Sequence, residues 1–93
     1  MNELEQENQL NIELSEEVAE GIYSNLAIIT HSPSEFVVDF IKMMPGVPKA
    51  KVKSRIILTP QHAKRLMQAL KDNIEKFEAV NGKIKADDAN TLP

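Results

Sequence analysis

The spacing of apolar and polar residues predicts several strands along the first two thirds of the chain. Apolar and polar residues alternate over 9–14, which is the period of a half-buried strand. Residues 22–31 are rich in β-branched side chains, and an acidic loop at 15–21 would join these two strands as a hairpin. Basic and apolar residues alternate over 50–58, which predicts a further strand with a solvent-exposed basic face.

Residues 35–43 are compatible with a strand or with a helix. The block Phe-Val-Val-Asp-Phe-Ile favours a strand by composition. A helix would have Ser32 as its N-cap, Pro33 at its first position and Glu35 completing a capping box. As a helix, the segment would itself cover one face of the sheet and make a monomer plausible.

A long amphipathic helix over 60–81 is the clearest element of the pattern. Thr59 can cap it, Pro60 suits its first position, and Gly82 follows as a C-cap signal. Apolar residues recur at steps of three and four, which places them along one side. We call this set the helix stripe: Ala63, Leu66, Met67, Leu70, Ile74 and Phe77.

These elements predict an α+β fold, an antiparallel sheet of three to four strands followed by one C-terminal helix lying across one sheet face. With 93 residues, the chain allows a single domain, placed at 9–84 between a flexible acidic N-terminus (1–8) and a flexible tail (85–93). A domain of this size has a marginal core, so oligomerisation is expected.

One helix cannot cover both faces of such a sheet. The face left open is largely apolar, and an exposed apolar patch of that extent usually marks an interface. The sequence therefore predicts a homodimer, with its geometry and any exchange of elements left open. The predicted dimer face comprises Tyr23, Ala27, Ile29, Val37, Ile41, Met43 and Ile57.

The net charge of −3 hides an uneven distribution. Residues 1–20 contain seven Glu and no base, whereas 42–71 contain eight bases and no acid. The first interpretation is that the acidic and basic segments pair with each other, within one chain or between two copies. A second interpretation is a solvated edge strand whose lysines prevent edge-to-edge aggregation. The alternative is an anion or nucleic-acid surface formed by Lys49, Lys51, Lys53, Arg55, Lys64 and Arg65.

Candidate catalytic chemistry is sparse. The absence of Cys excludes disulfide scaffolds, thiol nucleophiles and Cys-based metal sites. A hydrolase or metal site around His31, Glu35 and Asp39 is the least supported hypothesis, because no ligand spacing such as HxxxH is present. Asp39 needs a partner if it is buried, and Arg55 is the candidate for a structural salt bridge. We therefore expect no enzyme activity, catalytic residue, metal or cofactor.

Membrane and export signals are not evident. No apolar run approaches the roughly 20 residues that a membrane helix needs. The first residues are acidic where a signal peptide would be basic. The expected location is the cytoplasm, without membrane association.

Several short motifs, spread over about residues 19–84, resemble a family of small bacterial proteins catalogued as a domain of unknown function, number 3467 in that series. The resemblance implies a stand-alone domain of strands followed by one C-terminal helix, and it further favours a strand over 35–43. It implies no reaction and no ligand. The motifs are Tyr23-Ser24-Asn25-Leu26-Ala27, the run from His31 to Phe40, Pro45-Gly46, the run from Ser54 to Lys64, and Glu78 with Gly82.

The functional hypothesis is a cytoplasmic, non-enzymatic, homodimeric protein-interaction module with an unidentified protein partner. The alternative is a nucleic-acid-binding or regulatory protein that uses the basic strand 49–55 and the start of the helix. A ribbon-helix-helix version of that alternative would leave the strand patterns at 22–30 and 50–58 unused. Ligand, partner and pathway are not determined by the pattern.

Overall fold

The computed structural model describes residues 10–85 and has three strands and two helices. The strands form one antiparallel sheet in the order β1-β2-β3. The α+β prediction, with a sheet followed by a long C-terminal helix, is confirmed, and 35–43 is a strand. The predictions for residues 1–8 and 86–93 lie outside the described part. The elements are α1 (Glu16–Ala19), β1 (Leu26–His31), β2 (Phe36–Lys42), β3 (Lys51–Leu58) and α2 (Pro60–Asn81).

The N-terminal part differs from the predicted hairpin. Over its described portion, residues 10–14, the predicted strand at 9–14 is not found, and β1 begins only at Leu26. The Ser15 hydroxyl instead accepts a hydrogen bond from the Val18 N–H (3.2 Å) and caps the one-turn helix α1. The strand prediction was wrong because alternation shows which residues could share a face but does not supply a neighbouring strand.

A tight turn joins β1 to β2. The Ser32 N–H donates to the carbonyl of Glu35 (2.9 Å), and the Ser32 hydroxyl accepts from the N–H groups of Ser34 and Glu35 (both 3.3 Å). This turn places His31 opposite Phe36 and sets the register of the pair. Odd-numbered residues of β1 consequently face even-numbered residues of β2.

The pairing of β2 with β3 changes register once. Phe36 lies opposite Leu58 and Phe40 opposite Ser54, after which a shift places Ile41 opposite Val52. Lys53 is the extra residue on β3, so the alternation of β3 is interrupted there. Such a bulge redirects the side chains of one strand end relative to the other.

The bounds of α2 are those that the sequence predicts. The Thr59 hydroxyl accepts from the His62 N–H (3.1 Å), and Pro60 occupies the first turn. At the other end, Gly82 has a φ of 86° and its N–H donates to the carbonyl of Glu78 (3.0 Å). Glycine adopts this left-handed backbone without the strain that a Cβ would add.

The core of a single chain is very small. Among residues 10–85, the buried apolar side chains are Val38, Ile41 and Leu58. No described residue of α2 is buried, and its few contacts with the sheet are mainly on β3, the strand it follows. The expectation that the helix lies across its own sheet was therefore wrong. Thr59 is the single residue between β3 and α2, and its extended conformation leads the helix away from the sheet.

Candidate functional site

The sheet has two faces of different chemistry. Residues directly opposite each other on neighbouring strands point to the same side, so the register assigns every side chain to a face. The ion-pair face carries Asp39 and Arg55 at its centre, flanked by Leu26, Ile28, Val37, Ile41, Val52 and Ile57. The apolar face has no ion pair. It is formed by Ala27, Ile29, Phe36, Val38, Phe40, Ile56 and Leu58, and the Lys42–Lys51 row lies at one end of it.

The structure does not bring the predicted dimer-face residues onto one surface. Val37, Ile41 and Ile57 lie on the ion-pair face, whereas Ala27 and Ile29 lie on the apolar face. The remaining two members, Tyr23 and Met43, lie outside the strands. The five strand residues are divided between the faces because the turn after His31 reverses the parity between β1 and β2, and apolar alternation does not reveal that reversal.

Both faces and the helix stripe remain open in a single chain. On β1, Ile28 is 50% exposed on the ion-pair face and Ile29 is 60% exposed on the apolar face. Near the middle of the helix stripe, Leu70 is 57% exposed, and Phe77 near its end is 51% exposed. Over residues 10–85, three surfaces rich in apolar side chains are thus left in contact with water.

Asp39 and Arg55 form a two-point ion pair across β2 and β3. Arg55 Nε donates to Asp39 Oδ1 at 2.6 Å, and Nη2 donates to Oδ2 at 2.9 Å. The carboxylate is 15% exposed and the guanidinium side chain 63%. Hydrogen bonding to Arg55 lowers the pKa of the Asp39 carboxyl, and the Arg55 charge adds to that effect against partial desolvation. Bidentate geometry of this kind is specific to Arg.

We expect the Asp39→Asn variant to unfold at lower urea concentration than the wild type at pH 7. Because the pKa of Asp39 is lowered by folding, its stabilising contribution is present above the unfolded-state pKa of about 3.9 and is lost as pH falls through the folded value. The difference between the two proteins should therefore shrink as the pH falls below the unfolded-state pKa of about 3.9. Urea titrations followed by circular dichroism between pH 7 and 2 measure this.

Glu75→Gln is the matched control, because Glu75 is an exposed acid on α2. Its unfolding midpoint should follow that of the wild type at neutral pH. A deficit of Asp39→Asn that persists unchanged at pH 2 would show that the charge of Asp39 is not what stabilises the strand pair.

The basic residues do not form one continuous row. Lys51 lies opposite Lys42, Arg55 lies opposite Asp39 on the other side of the register shift, and Lys53 is the bulge residue between them. Arg55 is also neutralised by its partner. The prediction that the basic residues of β3 project to one side was wrong, because the bulge breaks the alternation. The other members, Lys49 before β3 and Lys64 and Arg65 in α2, are exposed.

The two histidines do not assemble with the carboxylates. His31 lies in the row of Phe36 on the apolar side of the sheet and stacks on its ring (5.3 Å between centroids), whereas Asp39 lies on the ion-pair face. His62 lies in the first turn of α2. Over residues 10–85, no group of three His, Asp or Glu side chains is placed to hold a metal ion.

Sequence reasoning missed the role of Asn25. Its side-chain amide donates to the Met43 carbonyl (2.9 Å), and its side-chain oxygen accepts from the Met43 N–H (2.8 Å). The Ser24 hydroxyl adds a bond to the Ile41 carbonyl (3.1 Å). These bonds extend the β1–β2 pairing beyond the last strand residue, and the adjacent Ser-Asn pair was the only local signal for them.

Comparison with known proteins adds a family but no activity. A family model described as "Protein of unknown function (DUF3467)" matches residues 1–86. Comparisons with curated proteins and with solved structures found no significant match. Neither described helix is both long and apolar enough to cross a membrane.

Proposed function

Because the chain belongs to the DUF3467 family, for which no activity is established, we propose from its surface alone that it is a non-enzymatic, homodimeric interaction module. The observation that carries this proposal is the exposure of the helix stripe together with both faces of the sheet. An element that is apolar on one side must bury that side against another element. The described part of one chain offers no such element.

The energetics of folding support self-association. Ordering a residue costs about 1.5 kcal/mol in conformational entropy, whereas burying a large aliphatic side chain contributes about 1.5–3 kcal/mol. Three buried apolar side chains cannot offset the ordering of a three-stranded sheet and a 22-residue helix. A second copy supplies the missing core because it presents the same open surfaces.

A dimer would still present surface for a further protein. The segment before β1 exposes Ile12, Leu14 and Val18 beside the acids Glu16 and Glu17. An apolar row with flanking charge is a common docking surface for another protein. This combination supports an interaction role rather than a purely structural one.

A second candidate function, polyanion binding, is favoured by one observation. Lys42 and Lys51 are direct cross-strand partners, and like charges in that position destabilise a sheet unless a counter-charge is present. Lys49 and Lys53 extend the positive charge along the exposed strand. A nucleic-acid phosphate backbone would supply the counter-charge.

The proposal is tested by light scattering coupled to gel filtration, over a range of protein concentrations and at two salt concentrations. We expect a mass of about twice the 10.4 kDa of the chain at micromolar concentration, unchanged by salt, because apolar association is not screened. A folded monomer under these conditions would overturn the proposal.

The double variant Lys51→Glu/Lys53→Glu separates the two candidate functions. We expect it to keep the dimeric mass, since Lys51 lies in the last row of the apolar face, beyond Phe40, and Lys53 is the bulge residue. Neither side chain belongs to the helix stripe. Titration with a fluorescent single-stranded DNA and RNA, at low and at physiological salt, measures polyanion binding. Binding by the wild type that weakens steeply with salt and disappears in the variant would establish the second function.

A further inference from the structure

We infer that the dimer is built by reciprocal helix exchange, in which the helix stripe of each copy packs on the apolar face of the other copy. This inference rests on the proposed function and adds the identity of the two surfaces that meet. Within residues 10–85, the helix stripe and the apolar face are two open surfaces of matching chemistry, and each copy of the chain carries both.

The connection between β3 and α2 is very short. β3 ends at Leu58 and α2 begins at Pro60, so Thr59 alone connects them. Thr59 must keep its extended conformation to cap the helix, with its hydroxyl accepting from the His62 N–H. Connections between strands and helices packed on each other usually take two to six residues. The connection in this chain is shorter than that range, and α2 makes few contacts with its own sheet.

The helix stripe and the central strand of the sheet have similar lengths. From Ala63 to Phe77 the helix stripe extends about 21 Å at 1.5 Å per residue. The seven residues of β2, which form the central strand, extend about 23 Å at 3.3 Å per residue. One helix laid along the central strand would contact all three strands, since its width of about 10 Å matches two strand spacings.

Charge favours the apolar face over the ion-pair face as the surface that the helix stripe covers. The helix stripe contains no acid or base, so it cannot compensate a charge that it covers. Packing it on the ion-pair face would remove water from the Arg55 side chain, which is 63% exposed, and such desolvation is unfavourable. The apolar face carries no charged residue between Phe36 and Phe40 and imposes no such penalty.

The area available is that of a stable dimer. Side chains such as Leu70, Phe77, Ile29 and Ile56 are between 43% and 60% exposed in a single chain. Seven large apolar side chains on the helix stripe and the apolar face are between 38% and 61% exposed, so covering them at roughly 100 Å² each would remove on the order of 700 Å² per copy. Two-fold symmetry doubles the contact. The total of about 1,400 Å² falls in the range of specific protein interfaces.

Chemical cross-linking between two single-cysteine variants tests the exchange. The chain has no Cys, so an introduced thiol is the only one in each copy. A tagged Leu70→Cys chain is co-refolded with untagged Ile29→Cys chain, the dimeric mass is verified, and a short bis-maleimide is added. The product linking tagged to untagged chain is quantified on a denaturing gel.

The matched control replaces Ile29→Cys with Ile28→Cys. These neighbouring residues have similar exposure and lie on opposite faces of the sheet. We expect at least a fivefold higher yield of mixed product with Ile29→Cys. Equal or reversed yields would overturn the helix exchange. A dominant product that links Leu70→Cys to a second Leu70→Cys would also overturn it, because it would show that the helices pair with each other. A monomeric mass before cross-linking would instead overturn the proposed function.

Discussion

Replacing Leu70 with Glu is expected to abolish the dimer and most of its secondary structure. Leu70 lies near the centre of the helix stripe, and in a single chain it is 57% exposed. In the proposed dimer the substitution would remove about 2 kcal/mol of apolar burial at each of two sites and would force an unpaired carboxylate against the partner. A loss of about 4 kcal/mol raises the dissociation constant about a thousandfold.

Light scattering and far-ultraviolet circular dichroism at the same concentration measure this outcome. Ala79→Glu is the control, because Ala79 is exposed and lies on the side of α2 opposite the helix stripe, so the same charge is added without touching the contact. We expect it to keep the mass and spectrum of the wild type. A Leu70→Glu protein that remains dimeric would show that the helix stripe is not part of the interface.

Lengthening the connection between β3 and α2 is expected to convert the proposed dimer into a folded monomer. Eight Gly and Ser residues inserted between Leu58 and Thr59 span about 16 Å as a flexible chain, enough for the helix to reach its own sheet. The insertion costs little in loop entropy, about 0.6 kcal/mol for each doubling of length. The tethered helix acts at millimolar effective concentration, which exceeds that of a second copy in a micromolar solution.

The measured mass should fall by half while the helical signal in circular dichroism is retained. The same eight residues placed between Gly46 and Val47, in the loop before β3, serve as the control and should leave the dimer intact. If the chain lengthened at Thr59 is still a dimer at micromolar concentration, the short connection is not what prevents the helix from covering its own sheet.

Part of the candidate site could be read from residue types alone. The pairing of Asp39 with Arg55 was proposed from the cost of leaving a carboxylate unpaired between apolar neighbours, and the structure places the two groups 2.6 Å apart. The membership of the sheet faces could not be read in this way. It depends on the Ser32–Glu35 turn and on the bulge at Lys53, and each changes parity by one residue.

Local physical chemistry in the sequence determined the elements themselves. The Thr59 and Gly82 caps and the apolar period set the bounds of α2, and β-branched and aromatic residues made 36–42 a strand. Tertiary structure alone decided which strands pair, in which register, and that α2 does not cover its own sheet. Caps and periodicity act over a few residues, whereas pairing and packing depend on which distant surfaces a connection allows to meet. In this protein, the connection between β3 and α2 is the single residue Thr59.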